Sequence, residues 1–138
     1  MLRIISIPIT AGITGFESPA AEYLELPLSL DDILIEKKHA SFLGIASGSS
    51  MEQAGFFDGD LLIADRSLKP QNMDVVIAIL NGELTAKYWL AKEQKLISAN
   101  QSFKEIEISI VDDFKIEAVV TRSIRLFRPS RLLLECLH

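Results

Sequence analysis

The chain is poor in the residues that build covalent or metal-stapled proteins. One cysteine, Cys136, excludes an internal disulfide and fits a reducing cytoplasm. The two histidines, His39 and His138, lie far apart in sequence and offer no metal-ligand spacing with that cysteine, so no metal or other cofactor is expected. Basic residues are outnumbered, 14 Lys and Arg against 19 Asp and Glu, for a net charge of −5. Such a balance argues against direct binding to nucleic-acid phosphates, which want a basic face. No apolar run approaches the roughly 20 residues needed to span a bilayer, so no membrane association is expected. The first residues, Met1 to Pro8, alternate in character and break at a proline, a poor secretory signal. The expected location is the cytoplasm.

What is present describes an ordinary globular protein. Over 138 residues, hydrophobic content is 49% and charged content 24%, enough for one domain with a real core. No internal repeat, low-complexity segment or interdomain linker interrupts it. Residues 1–24 read as an arm and 25–138 as the main domain. Within the arm, Arg3 to Ile7 has the pattern of a short strand. Thr10 to Gly15 holds small residues and two glycines, expected to be flexible and exposed. Ala20 to Leu24 reads as a helical turn. Asp31 and Asp32 are placed to cap a short helix over 33–38, at its positive end. His39 reads as a surface loop histidine. From Ser41 the period is mostly two, with strands expected at about 42–46, 61–66, 74–80, 83–91, 95–99 and 114–127. Turn signals separate them at Asp58-Gly59, Lys69-Pro70-Gln71-Asn72 and Asn81-Gly82. Asn-Gly between apolar runs predicts a tight hairpin, whose register decides where the next strand's side chains point. It puts Lys87 and Trp89 on one face and Ala86 and Tyr88 on the other, with Trp89 partly shielding the amine.

Two short stretches carry the candidate chemistry. Ala46-Ser47-Gly48-Ser49-Ser50-Met51 sits between two strand-like runs. Small residues around a serine at a strand end leave its hydroxyl exposed and nearby backbone N–H groups free, although the same composition also makes an ordinary turn. Lys87 lies inside a strand, where an apolar or β-branched residue is the usual choice. It reads either as a functional amine or as a snorkelling edge-strand lysine.

Four motifs in order resemble one family. Gly15-Phe16-Glu17-Ser18-Pro19-Ala20-Ala21-Glu22-Tyr23, Ser47-Gly48-Ser49-Ser50-Met51, Asp58-Gly59-Asp60-Leu61-Leu62-Ile63 and Gly82-Glu83-Leu84-Thr85-Ala86-Lys87 look like the LexA/UmuD group of Ser-Lys self-cleaving proteins. The first motif resembles the UmuD branch. The likeness runs from about Gly15 to Phe127, and the Ser50-to-Lys87 spacing of 37 residues matches without a gap. It implies a mainly β fold of bent, partly barrel-like sheets, as in the LexA and signal-peptidase catalytic domains, with a flexible N-terminal arm. Ser50 would be the nucleophile and Lys87 the general base, since a lysine desolvated enough to lose its proton can activate a hydroxyl. The backbone N–H groups of Ser49 and Ser50 would form the oxyanion site.

The resemblance makes the substrate the chain's own arm. The scissile bond is expected at Thr14-Gly15, 35 residues before Ser50, with Ala11-Gly12 as the competing bond. Thr14 replaces a smaller residue, and its β-branch is expected to slow the cut or alter its specificity. The implied function is a homodimeric, UmuD-like subunit of an error-prone translesion DNA polymerase in the SOS response. A RecA filament on single-stranded DNA would stimulate cleavage, and a UmuC-like Y-family polymerase would be the partner. Two alternatives stand beside it: a dimeric binding module that no longer cuts, and a general protease. Two departures bear on structure. Met73 replaces a usual glycine, and a leucine-rich tail, 128–138, extends past the family's usual end, as a contact surface or as a terminal helical turn packed on its own domain.

Overall fold

The computed structural model describes residues 2–5 and 23–137. They form two compact units, Met1–Glu36 and Lys37–His138. Both proposed scissile bonds lie outside the described residues.

The smaller unit contains an antiparallel pair, β1 (Leu2–Ile5) and β2 (Tyr23–Leu26), with Leu2 opposite Leu26 and Ile5 opposite Tyr23. The expected strand near Arg3 is there. The helical turn expected over 20–24 is not: Tyr23 and Leu24 are strand, and the residues before them are outside the description. β-Pairing with β1 outweighs weak local helical propensity at that point. A short helix α1 (Leu30–Leu34) starts earlier than expected because Ser29, not an aspartate, is its N-cap. Ser29 accepts from the Asp32 N–H while the Asp32 carboxylate accepts from the Ser29 N–H, a reciprocal capping box.

The larger unit is mainly β, as the sequence pattern demands. Seven strands form one sheet: β3 (Ser41–Ile45), β4 (Leu61–Asp65), β5 (Val75–Leu80), β6 (Glu83–Leu90), β7 (Lys95–Ile97), β8 (Ile106–Glu107) and β9 (Phe114–Ile124). Their order is β3-β4-β9-β5-β6-β7-β8, an open sheet rather than a closed barrel. Every pairing is antiparallel. The two-residue β8 escapes the sequence pattern because it is too short to show alternation, while the tail forms a final helix α2 (Arg131–Leu137), in keeping with the helical-turn reading of that segment. Asn81 and Gly82 both take positive φ, 50° and 85°, so the β5–β6 hairpin turns as Asn-Gly dictates. Lys87 consequently sits opposite Val76 in the ladder. No helix among the described residues is long and apolar enough to cross a membrane.

Sheet curvature has an identifiable source in β9. Against β4, Ile63 faces Arg122 and Ala64 faces Val120, so Thr121 is an extra residue. Against β5, Ile77 faces Ala118 and Ala78 faces Ile116, so Glu117 is another. Each extra residue bends and further twists the strand. The Thr121 hydroxyl donates to the Ile63 carbonyl at 3.3 Å, satisfying an acceptor at the first irregularity. The bent sheet wraps three apolar clusters. One contains Met51, Phe56 and Leu62; a second, Val76, Leu96 and Trp89; a third, Ala64, Ile77 and Ala118. Leu96 and Val76 are wholly buried, and side chains of their size are worth about 1.5–3 kcal/mol each on burial.

Candidate active site

Ser50 stands on a loop closed onto itself. Leaving β3, the Ala46 N–H donates to the Asp60 carbonyl and the Gly59 N–H donates to the Ala46 carbonyl, both at 2.8 Å. Gly48 adopts φ 89°, a left-handed conformation that favours glycine, and its N–H donates to the Asp58 carboxylate at 2.8 Å. Met51, 2% exposed, anchors the far side of the serine in the core. The Gln53 N–H donates to the Ala99 carbonyl at 2.7 Å, and the Ala99 N–H contacts the Met51 sulfur at 3.3 Å. The Ser49 carbonyl accepts from the Asn100 carboxamide at 2.9 Å. These bonds tie the loop to the segment after β7.

Beneath the loop lies a paired charge. Asp60 is 4% exposed. Its carboxylate accepts from Arg125 Nε at 3.0 Å and Nη2 at 2.8 Å, and from the Phe57 N–H at 2.8 Å. Arg125 also reaches the Gly55 carbonyl at 3.3 Å and lies 4.2 Å from the Phe57 ring centre. The hydrogen bonds from Arg125 hold the Asp60 carboxyl below its ordinary range despite burial.

Lys87 reaches this loop from β6. Its Nζ lies 2.8 Å from Ser50 Oγ. The residue is 8% exposed, and no carboxylate pairs with it among the described residues. Desolvation therefore pushes the amine below the ordinary lysine value near 10.5. The ring recorded near the amine is that of Phe103, 5.9 Å from Nζ to the centroid. Trp89, expected to shield the amine, stacks on Phe114 in the core, with centroids 5.3 Å apart. Its bulk is better matched to the apolar cluster around Leu96.

A cleft of about 220 Å³ opens beside Ser50. Gly44 and Ile45 of β3 line one part, and Leu84 and Thr85 of β6 another. These strands are four places apart in sheet order, so only curvature makes them walls of one cleft. Ile45 and Leu84 expose 46% and 68% of their surface. Neither the Ser49 nor the Ser50 N–H meets a protein acceptor among the described residues. The arrangement offers a hydroxyl, a desolvated amine and unspent donors at the mouth of an apolar cleft, the parts needed for acyl transfer.

Asn100 and Arg125 were not singled out in the sequence. Neither sits in a motif that local pattern could reveal. Asp58 and Asp60 belong to a recognisable motif, but their separate tasks, holding Gly48 and holding Arg125, are not legible there. His39 lies in the single turn of 3₁₀ helix at Lys38–Ala40.

Comparison with known proteins adds an independent line. The peptidase S24-like family model matches residues 4–121. The chain is similar to Protein ImpA of Salmonella typhimurium, 39% identical over 117 residues, covering 85% of this chain and 81% of that protein. It is similar to Protein MucA of Escherichia coli, 33% identical over 126 residues, covering 88% and 86%. A LexA repressor from Clostridium kluyveri is 35% identical over 117 residues, covering 83% of this chain and 56% of the repressor.

Proposed function

The chain belongs to the peptidase S24-like family, and on that premise we propose that it is a UmuD-like subunit of an error-prone translesion DNA polymerase, activated by cutting its own N-terminal segment. Residues 1–24 would serve as the cleavable arm and 25–138 as the peptidase domain. The observation that carries this reading is the 2.8 Å approach to Ser50 of a buried Lys87 that has no carboxylate partner among the described residues.

A neutral Lys87 amine takes the proton from Ser50 Oγ as the oxygen attacks the Thr14 carbonyl carbon. The N–H groups of Ser49 and Ser50 receive the developing oxyanion. The Lys87 ammonium returns its proton to the departing Gly15 amine, leaving an ester on Ser50 that water hydrolyses. Ala11-Gly12 is the second bond to test. A RecA filament on single-stranded DNA would stimulate the reaction by favouring arm conformations that place the bond at Ser50, a shift of population rather than new chemistry. In this reading the shortened protein, as a homodimer in the cytoplasm, pairs with a UmuC-like Y-family polymerase during the SOS response.

Intact mass and N-terminal sequencing test this after incubation at alkaline pH, and separately with RecA, an ATP analogue and single-stranded DNA. A product beginning at Gly15 or Gly12, absent in Ser50→Ala, is expected. Thr14, bulkier than the residue usual before the cut, favours a second reading as a dimeric binding module that regulates the polymerase without cutting. An intact chain under both conditions would select it.

A further inference from the structure

The proposed oxyanion site depends on how the Ser49–Ser50 peptide is turned, and one side chain outside the dyad governs that. We propose that Asn100 is a positioning residue that aims the Ser50 N–H into the cleft. The inference rests on the Ser-Lys reading but can be tested apart from it.

Asn100 Nδ2 donates to the Ser49 carbonyl at 2.9 Å, while its Oδ1 accepts the Ser102 N–H at 3.0 Å. The two bonds fix the carboxamide's orientation, because a carbonyl can only accept and an N–H can only donate. A weaker donor, the Glu52 N–H at 3.3 Å, shares the same carbonyl. The peptide is planar and trans, so its C=O and N–H point in opposite directions. Drawing the Ser49 carbonyl toward Asn100 therefore turns the Ser50 N–H away from Asn100. That N–H has no protein acceptor among the described residues, and Ser50 lines the cleft. Asn100 is itself held in place. It follows Ala99, whose carbonyl and N–H both engage the nucleophile loop, at Gln53 and Met51. The carboxamide thus stands on backbone already locked to the loop it orients, and the rotation of one peptide is the freedom left for it to remove.

Asn100→Asp separates aiming from a merely structural role. A carboxylate still accepts the Ser102 N–H but cannot donate to the Ser49 carbonyl. Asn100→Ala loses both bonds. Since a carboxylate would also favour the charged form of a nearby amine, rates are compared on the alkaline plateau of self-cleavage. Both variants are expected to fall about 10²-fold there, the scale of one lost oxyanion donor, with an unchanged fold by circular dichroism. A plateau for Asn100→Asp within about threefold of wild type, with Asn100→Ala slow, would reduce Asn100 to a turn cap and overturn the proposal. The Ser50 amide resonance in ¹⁵N-labelled full-length protein gives a readout independent of cleavage. It should move in Asn100→Asp while that of Gly48, held by Asp58, stays. An unmoved Ser50 resonance also overturns the proposal. Wild-type inactivity, or cleavage by Ser50→Ala, instead sinks the dyad, and the amide shift still judges Asn100.

Discussion

Asp60 and Lys87 are buried almost equally, 4% and 8% exposed, and the protein treats them in opposite ways. Asp60 receives two bonds from Arg125 and one from the Phe57 N–H, so its charge is kept. Lys87 meets the Ser50 hydroxyl and, among the described residues, no carboxylate, so burial weakens its hold on a proton. Charge removed from water must be matched or surrendered. The matched site lies under the loop and braces it. The unmatched one faces the hydroxyl that the loop presents. Structure and chemistry are thereby separated by whether a counter-charge was supplied.

The largest effect expected from breaking this contrast comes at the unmatched end. Lys87→Met, close to isosteric, should lower self-cleavage at least ~10³-fold, measured by gel at alkaline pH. The same change should raise the melting temperature at pH 7, by about 2–4 °C for each ~1 kcal/mol of desolvation relieved. The sign follows from proton linkage. The folded lysine's pKa lies below its unfolded value near 10.5, so between the two the unfolded chain binds more protons and wild-type stability rises with pH. The stability gap between wild type and Lys87→Met should therefore narrow as pH climbs toward 10.5. A gap that widens would contradict an unmatched amine.

Next in size is the pH dependence of the reaction itself. Cleavage should increase with pH and level off at a midpoint below the ordinary lysine range, read from a rate profile on intact protein. Supplying the missing counter-charge should move that midpoint upward. Phe103→Glu, beside the amine, is the direct way to do so, and an unmoved midpoint would count against Lys87 as the titrating base.

Breaking the matched end should act on stability rather than on the midpoint. Asp60→Asn removes the charge facing Arg125 and should lower the melting temperature at pH 7 by several degrees, with the cleavage midpoint unchanged. Asp60 has a folded pKa below its unfolded value near 3.8. Its contribution is present above that value and lost as pH falls through the folded pKa, so the difference between wild type and variant should vanish in acid. Calorimetry from neutral pH downward checks this. The smallest change concerns Met73, which adopts φ 68° while its N–H donates to the Trp89 carbonyl at 2.7 Å. A left-handed conformation costs a residue with a Cβ about 1–2 kcal/mol, partly offset by the greater freedom of glycine when unfolded. Met73→Gly should gain up to ~1 kcal/mol in denaturant titration and leave cleavage untouched, since the Met73 side chain is exposed and bonds to neither buried charge.

Most of the fold was legible because its instructions are local. Alternation placed six strands to within three residues at each end, and Asn81-Gly82 set the hairpin that carries Lys87. Helix α1 was displaced because a capping serine at 29 competed with the aspartates at 31 and 32, and the serine's geometry won. β8 and the role of Trp89 were missed for a common reason. Both depend on packing partners, Lys95–Ile97 for one and Phe114 for the other, that no local period announces. At the site, Ser50 and Lys87 stood out through the motifs that resemble the LexA/UmuD group, whereas Asn100 and Arg125 act through bonds spanning 51 and 65 residues.

The amino-acid order by itself determined the strands and turns, which follow from neighbours a few positions apart, and the acidic balance; it named the candidate pair only through motifs that resemble a known family. Only the tertiary structure decided that the pair would meet. Two extra residues in β9, Glu117 and Thr121, bend the sheet until β3 and β6 wall a single cleft. That curvature brings a buried amine to a serine 37 residues away in sequence. Desolvation, which loosens the amine's hold on its proton, acts only once the surrounding core has formed.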